Sequence, residues 1–240
     1  MRLRPNSSPA LPMWLLLSSA TAMLVALYLI FVWVSTEVTM GIIQRIFYFH
    51  VPAATASFLA VFVGGASSFL YLKTKDGRYD DLALAANESV IVFGAINIIM
   101  GSIWARRAWG IWWTWDARLT SALVLVLIYF SYLAVRKAAP MEQRATLGAA
   151  ICIFGMADVP LIYMSNRWFR TQHPTPVIGG GENSGLDPDM MLTFVAAHIA
   201  MLLLWWCVVK VRRRVARLER KLDHLSRRAH EFSETGVNLN

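Results

Sequence analysis

Trp109-Gly110-Ile111-Trp112-Trp113-Thr114-Trp115-Asp116 sets four indoles, a glycine and a carboxylate side by side. An indole is apolar apart from one N–H that wants a partner, so it favours a membrane–water boundary. A single indole anchors a helix end. A cluster this dense offers a flat aromatic platform for a large, planar, mostly apolar ligand.

Two of the five histidines bear on the same chemistry. His50 closes Gly41-Ile42-Ile43-Gln44-Arg45-Ile46-Phe47-Tyr48-Phe49-His50, immediately before Val51-Pro52, and His173 lies in Arg170-Thr171-Gln172-His173-Pro174. Neutral imidazoles can ligate haem iron from both faces while aromatic side chains contact the porphyrin and exclude water. Taken singly, each histidine reads equally well as an ordinary polar residue at an interface. The indoles are harder to explain that way, because aromatic belts spread their members over several helix ends. Asp116 has a modest reading as the N-cap of the following helix. Arg118, with Arg106, Arg107, Arg167 and Arg170, adds cations that suit haem propionates or acidic groups on a partner. Phospholipid headgroups are the simpler ligand for any one of them.

Long helices must position these groups. The chain has 240 residues, of which 57% are hydrophobic and only 16% charged, the balance of a membrane protein. Crossing hydrocarbon takes about 20 apolar residues per helix. Six stretches qualify, at 11–34, 53–72, 82–104, 120–135 (extended by 117–119), 145–164 and 190–209. The fifth carries Asp158 and Pro160 and is the least regular, with Asp158 filling a backbone gap at a kink. The expected class is an all-α polytopic membrane protein with the tryptophan-rich loop between helices 3 and 4.

The net charge of +8 would suggest nucleic acid in a soluble protein, but its distribution points to topology. Arg2 and Arg4, then Lys73, Lys75 and Arg78, then Arg136, Lys137 and Arg144, and finally the chain beyond Lys210 are basic. With six spans these all fall on one side, which the positive-inside rule makes cytoplasmic, together with both termini. The outward connections are then 35–50, 105–119 and 166–188, which hold His50, the indoles and His173. The segment 41–50 reads as a short helix on the membrane surface with Ile43, Phe47 and His50 on one face, and Pro52 in the first turn of the next span.

Other features are quieter. Ala20-Thr21-Ala22 resembles a cleavage site, but the apolar run continues to Val34 and reads as a retained anchor. Cys152 and Cys207 fall within spans as packing residues. No Cys-x-x-Cys-His and no Walker A loop occur, so neither covalent haem attachment to this chain nor ATP hydrolysis by it is expected. His198 lies within the last span, where a hydrogen bond to a neighbouring helix is the plain reading. His224 and His230 read as solvated. Asn87, Glu88 and Asn97 should face the bundle or an interface, Glu88 being solvated at the cytoplasmic end.

From Val208 onward apolar residues recur as Val211, Val215, Leu218, Leu222, Leu225, Ala229 and Phe232, the spacing of a coiled-coil seam. The chain is thus read as a six-helix domain over 1–210, a basic amphipathic cytoplasmic helix over 211–232 continuing the last span, and a disordered end over 233–240. The plainer role for that helix is to lie on anionic lipid; the sharper is to dock a cytoplasmic or identical subunit.

The segment Trp109-Gly110-x-x-Trp113-x-Trp115-Asp116, continued by Ala117-Arg118-Leu119-Thr120-Ser121, resembles the tryptophan-rich signature of haem-handling proteins. Joined to Phe47-Tyr48-Phe49-His50-Val51-Pro52-Ala53-Ala54, it is similar to the cytochrome c maturation protein C family, the CcmC type. The resemblance implies non-covalent, bis-histidine haem b at the outer face of the bacterial inner membrane, with His50 and His173 as axial ligands. It implies a haem-presenting platform of Trp109, Gly110, Trp113, Trp115 and Asp116, with Trp112 at a variable position. It further implies delivery rather than enzymatic catalysis, to a periplasmic haem chaperone of the CcmE type. The implied companions are a small single-span subunit of the CcmD type and ABC-type subunits of the CcmA and CcmB types. Two other functions fit part of the pattern: a cytochrome c synthase that forms the final thioether bonds, and a haem b electron-transfer subunit.

Overall fold

Residues without charge over twenty or more positions form helices in a membrane because no water is there to satisfy the backbone. The computed structural model describes residues 12–174 and 185–234. Leu11, Arg2, Arg4, Gly179-Gly180-Gly181 and the chain end after residue 234 lie outside the described residues. Six helical segments are long and apolar enough to cross a membrane, and the protein is a multi-pass, all-helical membrane protein. Among the described residues the only β feature is an isolated bridge between Glu37 and Gly41.

The first span is α1 (Met13–Tyr28), prolonged by a π-helical turn over Leu29–Trp33. A 3-10 helix, Ile42–Ile46, then runs directly into α2 (Phe47–Thr74). The segment 41–50 is therefore not a separate surface helix. His50 sits in the first turn of α2 itself, and Pro52 lies inside that helix. The 3-10 turn makes this possible by leading into α2 without a break.

The third span, α3 (Gly77–Trp109), starts at Asp76, whose side chain accepts from the Arg78 N–H, and ends where Gly110 turns left-handed at φ 79°. Glycine takes that conformation without the steric penalty other residues meet. The fourth, α4 (Ala117–Ala138), is capped by Asp116. The fifth is broken: α5 (Arg144–Met156) and α6 (Asp158–Trp168) meet at Ala157. Pro160 lies in the first turn of α6, where its missing N–H costs least, so the irregular span expected from Asp158 and Pro160 is present.

α2 and α3 pack along small residues. A Cβ on Gly64 would collide with Asn87 Oδ1 of α3, and one on Gly94 would lie 3.5 Å from Ser57 Oγ of α2. Without a hydrophobic force between helices in lipid, this close approach supplies dispersion contacts instead. Asn87 is fully buried against Cys152, whose thiol donates to its Oδ1 at 3.2 Å. Tyr48, Tyr129 and Tyr132 are the largest fully buried side chains.

The last helix, α7 (Pro188–Glu234), runs unbroken for 47 residues. At about 1.5 Å per residue it is roughly 70 Å long, more than twice the hydrocarbon thickness of about 30 Å. Its far half is tied to the start of α3, the α4–α5 connection and the start of α5. Arg220 grips Asp81 through two bonds of 2.8 Å, Arg144 meets Asp223 at 3.3 Å, and Arg227 meets Glu142 at 3.3 Å. Glu88 is not simply solvated; Arg212 pairs with it. The extension is thus pinned to its own chain.

Candidate functional site

By chain order the connections 34–41 and 110–116, and the described residues 169–174 after α6, share one end of the bundle, opposite the α7 extension. Contacts across that end are consistent with this. Asp189 accepts from the Ser35 N–H at 3.0 Å and from the Ser35 hydroxyl at 2.5 Å, joining the first connection to the start of α7.

His50 lies on the inner side of α2, against α3. Its Nδ1 is 2.9 Å from the Asn97 carbonyl. A carbonyl only accepts, so Nδ1 carries the proton, and in the neutral ring Nε2 keeps its lone pair. There is room for the ring because residue 101 is glycine: a Cβ there would lie 2.8 Å from the imidazole Cε1.

His173 is presented by a tight turn after α6. Its backbone N–H donates to Thr171 Oγ1 at 2.8 Å, and Asn166 Nδ2 donates to the Pro174 carbonyl at 3.0 Å. The same carbonyl accepts from His173 Nδ1 at 2.8 Å. His173 is therefore also the Nδ1–H tautomer with a free Nε2.

The two rings, 123 positions apart in sequence, are close in space, with centroids 6.3 Å apart and planes inclined by 31°. An imidazole bound through one nitrogen puts its ring centre about 3 Å from the metal, given a bond of about 2.0 Å. Two such ligands on opposite sides of one ion thus have centres about 6 Å apart. The centroid separation of the pair is close to that spacing. A ligating histidine usually has its remote nitrogen oriented in this way, by a hydrogen bond to a carbonyl or carboxylate.

Electrostatics keep the pair ready. The His173 imidazole is pushed down to about 4, chiefly by burial, then by the Arg118 guanidinium, with His50 adding a smaller push; the Pro174 carbonyl and Asp116 oppose them. His173 is consequently neutral at physiological pH, as a metal ligand must be. The same interactions bring Arg118 and Asp116, the end of the tryptophan loop, within electrostatic reach of His173.

The loop itself divides. Trp109 packs edge-on against Trp104 at 5.0 Å, and Arg106 donates to the Gly110 carbonyl, fixing the turn. Trp112 lines an open hollow of about 470 Å³ with Arg106 and Arg107. Trp113 and Trp115 pack edge-to-face at 5.8 Å, and Trp115 is 77% exposed. Asp116 caps α4, accepting from the Arg118 and Leu119 N–H groups at 3.0 Å each, while Thr114 donates to its other oxygen at 2.9 Å. Buried polar atoms without partners among the described residues include Trp113 Nε1 and Arg118 Nη1, donors free to meet a ligand. Arg167 lies over the Tyr163 ring and so has a partner within the chain.

Gly101 and the Asn97 carbonyl belong to this site and carry no distinctive signal in the sequence. Asn97 was singled out only as a costly residue in lipid. His198 is separate from the pair: its Nδ1 donates to the Phe194 carbonyl at 2.9 Å, and its Nε2 lies 3.3 Å from Thr55 Oγ1. That is the plain interhelical role expected of it.

Comparison with known proteins gives the geometry a context. The chain is 35% identical over 170 residues to heme exporter protein C of Bradyrhizobium diazoefficiens, covering 69% of this chain and 63% of that one. It is 33% identical over 162 residues to heme exporter protein C of Escherichia coli K12, covering 67% and 66%. Heme exporter protein C of Haemophilus influenzae is 29% identical over 177 residues, covering 73% and 72%. The chain thus spans slightly less than two thirds of the first two relatives. A family model described as heme exporter protein C matches residues 5–228, and the chain belongs to that family.

Proposed function

We propose that this chain holds haem b, non-covalently, between His50 and His173 at the outer face of a bacterial inner membrane, and delivers it for cytochrome c maturation. The observation that carries this reading is the pair of neutral imidazoles 6.3 Å apart, each with Nδ1 bonded to a carbonyl and Nε2 free. Haem is the cargo. Iron ligation on both faces holds it, and the absence of a Cys-x-x-Cys-His motif leaves it without a thioether tether to this chain.

The remaining residues have roles that follow from where they lie. Trp113 and Trp115 offer aromatic surface at the open end, and Trp109, anchored on Trp104, sets the base of the loop. Gly110 makes the turn, and Asp116 holds the other end of the loop to α4. Arg118, near His173 and with one nitrogen unpaired, is placed to take a propionate. An exposed edge, marked by Trp115, lets a second protein reach the cargo.

The receiving protein in this reading is a periplasmic haem chaperone of the CcmE type. The companions are a single-span subunit of the CcmD type and ABC subunits of the CcmA and CcmB types, within membrane lipid. The relatives' name, heme exporter, supports a place in haem handling. The chain acts as a delivery protein, not an enzyme. Sidedness rests on basic residues at the end carrying the α7 extension.

Reconstitution with haem and a purified chaperone of that type tests the reading. Denaturing gels stained for haem should show haem transferred onto the chaperone when the chain is present. A chain that binds haem stably and never releases it would make haem a resident cofactor and overturn delivery.

A further inference from the structure

Beyond the haem site, the far half of α7 has two faces with opposite properties. One face is used by the chain itself. Val209 and Ala216 are buried on it, and Arg220, Asp223 and Arg227 make their ion pairs from it. The opposite face carries Val211, Val215, Leu218, Leu222 and Leu225, which are 44%, 40%, 45%, 66% and 62% exposed. With Val208 before them, these recur at alternating steps of three and four, a period of 3.5. That period describes the narrow seam of a left-handed coiled coil rather than the broader stripe of a helix packed on a globular core.

We infer that this seam is the contact of a parallel two-stranded coiled coil between two copies of this chain. Three features select that occupant. First, the register places Val208, Val215 and Leu222 at one core position of the heptad and Val211, Leu218 and Leu225 at the other. A β-branched majority at the first and a leucine majority at the second is the bias that favours two parallel strands. Second, two copies inserted the same way must send their extensions out of the same membrane face, so only a parallel pairing is available to them. Third, the flanks agree. Arg214, Lys221 and Arg228 form one exposed basic row. In an antiparallel pair this row would face its own copy and repel; in a parallel pair it faces the row holding Arg212, Glu219 and Ser226. Arg214 then lies opposite Glu219 of the second copy, whose carboxylate also meets Arg212 of its own chain at 3.0 Å.

Lipid is a poor occupant. α7 does not bend onto the membrane surface as a separate element, and Leu218 to Leu225 follow the cationic run Arg212-Arg213-Arg214, beyond the apolar part of the helix. The own-chain ion pairs also hold the seam outward. Those ion pairs leave the seam residues free, so dimerisation requires no rearrangement of the bundle.

Cysteine cross-linking of the full chain in native membranes tests this directly. In a background carrying Cys152→Ala and Cys207→Ala, Leu218→Cys and Leu225→Cys should each give a disulfide-linked species of twice the chain mass under mild oxidation. His224→Cys, exposed but off the seam, should give none above background. Absence of dimer from both seam variants, equal yield from all three, or an adduct with a different polypeptide overturns the inference. A second measurement does not depend on the cysteines: light scattering of the detergent-solubilised native sequence should give the mass of a dimer. Leu218→Asp combined with Leu225→Asp should give a monomer with unchanged helical content. A monomeric native chain, or a dimeric double variant, overturns it equally.

Discussion

Gly101 and His50 are matched across the α2–α3 interface: a Cβ at residue 101 would stand 2.8 Å from the imidazole Cε1 and 3.2 Å from Nδ1. The ring can therefore reach the Asn97 carbonyl, one turn back on the same helix, only because residue 101 has no side chain. A glycine in the middle of a helix costs roughly 1 kcal/mol relative to alanine, and here it is retained where a proposed ligand needs the space.

Gly101→Val should displace the His50 ring, an overpacking effect of about 1–3 kcal/mol. Haem retained after purification should fall roughly tenfold, about 1.4 kcal/mol, with the helical content unchanged. Wild-type retention, read as the ratio of Soret to protein absorbance, would show that His50 does not need that position.

The His173 imidazole titrates near 4, below its ordinary value of 6.5. Between those values the unfolded chain binds a proton that the folded chain does not. The stability this contributes is fully present above about 6.5 and is lost as pH falls through that window toward 4. In haem-free protein, the thermal midpoint should fall more steeply between pH 6.5 and 4 for the native sequence than for His173→Asn. Parallel curves would remove the assigned environment.

Trp115 is largely exposed, so Trp115→Ala should change stability by no more than about 0.5 kcal/mol while reducing chaperone loading. Asp116 separates two roles. Loss of the α4 cap in Asp116→Ala should cost about 1 kcal/mol, whereas Asp116→Asn keeps an acceptor and should cost little. If the asparagine variant is stable and loads normally, Asp116 acts as a cap alone; normal loading by Trp115→Ala would return the indole to an anchoring role.

Asp81 is only 2% exposed and is held by Arg220, with Arg217 farther off at 4.0 Å. Arg220→Ala leaves that carboxylate short of its main partner and frees the α7 extension. The expected cost is on the order of 2 kcal/mol, since Arg220 is itself partly solvated. Limited proteolysis should then cut the extension faster, while haem binding at the far end stays unchanged. An unaltered cleavage rate would mean the extension is held by something else.

The spans, the Asp116 cap and the broken fifth helix are legible in the sequence because each has a local cause: hydropathy, a capping carboxylate, and a proline beside an aspartate. The placement of His50 is not. Ile43, Phe47 and His50 share a helical face in a surface helix and equally in a continuation of α2, and Pro52 fits the start of a helix as well as its second turn. The facing of His50 and His173 depends on how α2, α3 and the turn after α6 come together, which no local pattern encodes. Gly101 is silent for the same reason: a glycine in an apolar helix says nothing until its neighbour is known. The carboxylates that pin α7 lie far away in the sequence, Asp81 and Glu88 on α3 and Glu142 between α4 and α5, so the extension reads from sequence as a free basic helix.

The central claim is that His50 and His173 hold one iron between them. Absorption and electron paramagnetic resonance spectra of the haem-loaded chain test it most directly. The account predicts a low-spin, six-coordinate bis-imidazole spectrum for the native sequence, converted to high-spin or lost in both His50→Ala and His173→Ala, with recovery when free imidazole is added. Retention of the native low-spin spectrum in either single variant would contradict it.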